Sequence, residues 1–93
     1  MTDSEPARIV EEARRVIDEI DLAILVLLNR RAEQVRRIGT AKRVLGEPVY
    51  QPDREERIFD RVVGANTGPL EDAALRRLFE RILDESRRLE RMS

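Results

Sequence analysis

The sequence has no cysteine, no histidine and no tryptophan, and only 3% of its 93 residues are aromatic. Without cysteine there are no disulfides, thiol nucleophiles or zinc-thiolate sites. Without histidine, the commonest general base and the commonest transition-metal ligand are missing together. Chemistry is left to carboxylates, guanidinium groups, hydroxyls, amides and one ammonium, because Lys42 is the single lysine beside 17 arginines. An excess of one charge sign is lacking too. The 18 basic and 19 acidic residues nearly cancel and are interleaved, a poor match for nucleic-acid binding. No apolar run approaches the roughly 20 residues needed to cross a bilayer, and the N-terminal MTDSEPAR lacks a hydrophobic signal region. These absences lead us to expect a soluble, cytoplasmic, single-domain protein over residues 1–93, with 1–5 as a flexible N-terminus.

What the sequence does have is Leu, Ile, Val, Ala, Arg and Glu, the composition of long helices. Three helical segments are predicted, with no internal repeat. The first starts near Pro6 with Ser4 as N-cap and runs to about Leu45, where GEP stops it. Val10, Ala13, Ile17, Ile20, Ile24, Leu28, Val35 and Ile38 recur every three or four positions along it, which marks one helical face. The second opens at YQPDREE. Pro52 suits its first position, and Asp53, Glu55 and Glu56 favour the positive end of the helix dipole. It carries Ile58, Phe59, Val62 and Val63 and ends in GANTGP. The third begins near Leu70 and Glu71 and is expected to turn Leu75, Leu78, Phe79, Ile82 and Leu83 inward.

Length bears on assembly. A helix of about 40 residues is about 60 Å long, whereas a compact globule of this size has a diameter of about 32 Å. Two short helices cannot cover an aliphatic stripe of that length. No Gly or Pro lies between residues 7 and 38 to kink the helix back on itself. A symmetric homodimer is the simplest closed solution.

Polar residues interrupt the apolar faces at defined places. Steps of three and four from Ile24 and Leu28 lead to Arg31, Val35, Ile38 and Lys42. Arg31 and Lys42 therefore share a face with their Cα atoms about 16 Å apart, close enough to grip one small anion between two long side chains. On the third helix, Ser86 and Glu90 continue the inward face beyond Ile82. Burying either group unpaired would cost a few kcal/mol. Each has an ordinary explanation: snorkelling cations, a serine hydroxyl returned to the backbone, a glutamate at a frayed end. Arg54 and Glu55 open the second helix just after the loop that follows Lys42. Arg14 precedes Lys42 by about 42 Å of helix and can reach such a pocket only in a partner chain.

The runs ARRVIDEIDLAILVLLNRRAEQVRRIGTAK, VYQPDREERIFDRV and LRRLFERILDESRRLE resemble the all-helical class of chorismate mutases. The resemblance implies an all-α fold, an intertwined homodimer of three-helix subunits whose long first helices span both active sites. Position by position it implies that Arg14 is donated across the dimer and that Arg31 and Lys42 belong to the site's own first helix. Arg54, Glu55 and Ser86 match further site positions, and Glu90 falls where the family has Gln or Glu. Gln51 departs from the commoner Asp, at a place where the backbone is expected to meet a substrate hydroxyl.

The implied reaction, chorismate to prephenate in the shikimate route to Phe and Tyr, needs no nucleophile, metal or cofactor. It requires a dianion held in its compact conformer and stabilisation of charge developing on an ether oxygen. Arginine forks suit carboxylates, and a compact ammonium at Lys42 suits a single oxygen. Glu90 can help there only as a donor, and a carboxyl donates only while protonated. Turnover is thus expected to fall as pH rises, and Glu90→Gln to flatten that decline. Isochorismate pyruvate lyase, a mutase of the 4-amino analogue (to which Gln51 and Glu55 would matter) and a helical dimerisation module without activity stand as alternatives. A partner enzyme of the shikimate pathway is a further expectation.

Overall fold

The computed structural model describes residues 4–93, which form three α-helices and no strand among the described residues: α1 (Glu5–Leu45), α2 (Pro52–Gly64) and α3 (Asp72–Met92). Ser4 caps α1 as its sequence suggests, its Oγ accepting the Ala7 N–H at 3.2 Å. Glu5, within the expected flexible N-terminus, is helical and pairs with Arg8. The first three residues lie outside the described ones. Pro52 stands at the start of α2, where its missing N–H costs nothing. The third helix starts at Asp72 with Glu71 as its N-cap.

Two compact units divide the chain near Arg31. In the unit of residues 4–31, eleven large aliphatic side chains from Ile9 to Leu28 are exposed, among them Ile17 at 51% and Leu22 at 65%. In the unit of residues 32–93, Ile58, Phe59 and Leu83 form the core between α2 and α3, with Val62 and Phe79 packed against it. Val35 is buried as expected, but Ile38 and Leu78 are exposed within this chain. Periodicity marks a helical face but not which positions on that face meet the core, so the inward expectation for Leu78 does not hold in this chain. Arg76 covers the core edge with its guanidinium 4.2 Å from the Phe59 ring centre.

The two connections are built by local hydrogen bonds. Gly46 has φ +71°, and the Glu47 N–H returns to the Lys42 carbonyl at 2.9 Å. This is the αL termination that ends many helices, and only glycine adopts it without a Cβ penalty. Between α2 and α3, the Asn66 amide donates to Leu70 O and to Asp72 Oδ1, both at 2.8 Å, while its oxygen accepts the Gly68 N–H at 3.2 Å. The first of these turns matters most for the site, because it reverses the chain directly beside Lys42.

Candidate active site

The Lys42 ammonium lies where the end of α1, the following loop and the end of α3 meet. Its Nζ donates to the Val49 carbonyl at 2.9 Å and stands 2.7 Å from Glu90 Oε1. Only 13% of the Lys42 side chain and 9% of the Glu90 side chain is exposed. The alignment of the lysine N–H groups favours Val49. Glu90 Oε1 is shut off from solvent and receives no well-directed hydrogen bond, although the ammonium is at contact distance. We read the contact as a charge pair, since 2.7 Å is close enough for strong attraction whatever the angle. The lysine has three donors, and the protein occupies no more than two of them here.

Gly39 makes this meeting sterically feasible. It is buried, and a Cβ on it would stand 3.0 Å from Glu90 Cα, Glu90 O and Ser93 Cβ. The end of α3 therefore rests on bare α1 backbone.

A second charged cluster lies beside the loop. Arg87 Nη1 donates to both Glu55 carboxylate oxygens at 2.5 Å, its Nη2 donates to Asp84, and its guanidinium sits 5.5 Å from the Tyr50 ring centre. The hydrogen bond to Glu55 is the main cause that raises the Arg87 pKa above its ordinary value, against the lowering effect of burial. Lys42 thus holds Val49 while Arg87 backs the adjacent Tyr50, so the short loop is tied down at consecutive residues.

Of the residues singled out from sequence, Lys42 and Glu90 are brought together directly, and Glu55 is placed on α2 in the grip of Arg87. Ser86 is half-buried and its Oγ donates to the Ile82 carbonyl at 2.8 Å, the backbone return that its helical position allows. Gln51 is half-buried, with a long 3.5 Å contact from Nε2 to Glu47 Oε2. Arg54 and Arg14 are exposed and Arg31 is half-buried. Gly39 and Arg87 were not singled out. A lone glycine inside a helical pattern is a signal for close backbone approach, whereas nothing in spacing separates Arg87 from the other arginines. Among the described residues no group of three or more carboxylates gathers to hold a metal ion.

Comparison with known proteins adds to this geometry. The model of the family chorismate mutase type II matches residues 13–91. The chain belongs to that family. Relatives include a bifunctional chorismate mutase/prephenate dehydratase of Neisseria gonorrhoeae, 41% identical over 78 residues that make up 84% of this chain and 21% of that protein. A chorismate mutase of Methanocaldococcus jannaschii is 41% identical over 51 residues, 55% of this chain and 52% of its own. Form II of the chorismate mutase of Thermus thermophilus superposes with a TM-score of 0.86 at 35% identity, covering 88% of this chain and 93% of that one. The chain thus spans about a fifth of the length of the Neisseria relative, and it matches the solved Thermus mutase over nearly the whole of both chains.

Proposed function

We propose that this chain rearranges chorismate to prephenate, acting as a homodimer in the cytoplasm. The observation that carries this reading is the buried Lys42 ammonium against the Glu90 carboxyl in a chain of the chorismate mutase type II family. The reaction is unimolecular: the ether C–O bond breaks as a C–C bond forms, and negative charge grows on the ether oxygen. A preoriented cation there stabilises the transition state more than the ground state. Lys42 supplies it with the donor that the protein leaves unused. Glu90, once protonated, supplies a second hydrogen bond. In this reading Arg31 and the partner subunit's Arg14 take the two substrate carboxylates through forked hydrogen bonds, and Arg54, Ser86, Gln51 and Glu55 are further substrate-binding positions.

The exposed aliphatic surface of residues 4–31 supports the dimer. From Leu22 to Leu28 α1 is apolar on every side, a pattern typical of a surrounded helix. Covering its eleven exposed aliphatic side chains would contribute on the order of 10 kcal/mol. A second copy is the simplest cover, and it places Arg14 in the other chain's site. Prephenate dehydratase is fused to the mutase in the Neisseria relative. For this chain, an enzyme of the same pathway is the corresponding partner.

The test is consumption of chorismate with product identification, run beside isochorismate and 4-amino-4-deoxychorismate. Prephenate from chorismate is expected, with Lys42→Arg losing most of the activity because a planar fork replaces a point charge. Pyruvate from isochorismate alone would assign the lyase reaction. No turnover of any of the three would leave a helical dimerisation module.

A further inference from the structure

We infer that Gly39 is a positioning residue for this site: its missing side chain lets the last turn of α3 lie on α1, so that the Glu90 carboxyl reaches Lys42. The inference rests on the role proposed for Glu90. Two of the three atoms that a Cβ on Gly39 would meet at 3.0 Å are the Cα and O of Glu90 itself. Those are backbone atoms, which cannot rotate out of the way as a side-chain tip can. Gly39 and Lys42 are three residues apart and share a face of α1. The glycine receives the backbone of residue 90, and the lysine receives its carboxyl.

Helix propensity sharpens the point. Alanine inside a helix is better than glycine by about 1 kcal/mol, so a glycine here weakens α1 locally in return for close approach. The direction of yielding can also be read. Leu83, the buried core residue of α3 at 4% exposure, lies two turns before Glu90, away from the atoms that an added Cβ would meet. A Cβ on residue 39 would therefore displace the end of α3 rather than the core. Glu90 moves, and the α2–α3 packing stays.

Gly39→Ala tests this in three readouts. Its crystal structure is expected to show the 2.7 Å contact between Lys42 Nζ and Glu90 Oε1 lengthened beyond about 3.2 Å, the limit of a good hydrogen bond. Its kcat is expected to fall about tenfold with KM within about twofold, as misplacement by a fraction of an ångström does for a group acting in the transition state. In a Glu90→Ala background the same substitution is expected to cost less than about twofold, because its target is gone. An unchanged contact distance, or the full penalty in the absence of the Glu90 carboxyl, would overturn the inference. Full activity of Glu90→Ala alone would instead defeat the role proposed for Glu90, with the contact distance still deciding whether Gly39 positions it. If Gly39→Ala does not fold, Gly39→Ala with Ser93→Gly removes the third contact of the added Cβ and the Ser93 Oγ bond to the Leu89 carbonyl, which loosens the last turn of α3, and is judged by the same readouts.

Discussion

Lys42 holds the loop through Val49 and meets the carboxyl of Glu90 as a charge pair. The ammonium ties Val49 through a 2.9 Å hydrogen bond and faces Glu90 Oε1 at 2.7 Å. On the proposed reading, a substrate ether oxygen beside them would meet the Lys42 ammonium, and Glu90 could add a hydrogen bond only as the protonated acid. A carboxylate in that place would repel the developing charge. Glu90→Gln, a donor at every pH, is therefore expected to keep kcat/KM on chorismate at or above that of the wild type, and Glu90→Ala to lower it. A loss in the Gln variant as large as in the Ala variant would remove Glu90 from the chemistry as a donor. The hydrogen bond to Glu55 raises the Arg87 pKa from an already high value, so Arg87 keeps its charge in these assays. Lys42 and Glu90 were legible from sequence because a charge on an apolar stripe requires an explanation. Gly39 and Arg87 were not, since what they do depends on which backbone or carboxylate the fold brings to them.

At the scale of elements, the end of α1 is the feature on which the site depends. Gly46 at φ +71° and the 2.9 Å bond from the Glu47 N–H to the Lys42 carbonyl turn the chain so that Val49 returns to the lysine side chain. Gly46→Ala places a Cβ in the left-handed region and is expected to cost about 1–2 kcal/mol, read as a lowered midpoint in chemical denaturation. No shift of the midpoint would mean that the turn relaxes at no cost. The helices themselves were readable: Ser4, Pro52 and the GEP stop mark ends that the structure places within a residue or two. Position along an element was easier to read than burial. Ile38 and Leu78 lie on apolar faces yet are exposed, because periodicity identifies a face without identifying what covers it.

For the whole molecule, the covering surface and the missing site residue have one proposed source, a second copy of the chain. The exposed aliphatic side chains from Ile9 to Leu28 are the surface a second copy would cover, and the anion-binding role proposed for Arg14 requires the other chain's Lys42, because its own lies too far along the helix. The most direct measurement uses two crippled proteins, Arg14→Ala and Lys42→Ala, each expected to be nearly inactive on chorismate alone. Refolded together in equal amounts, they should form heterodimers in which one site draws Lys42 from one chain and Arg14 from the other. Random pairing makes half the dimers mixed with one intact site each, so about one quarter of wild-type activity should return. Recovery near that level, with prephenate as product, is the predicted result. No recovery despite heterodimers demonstrated by mass spectrometry would contradict the shared site.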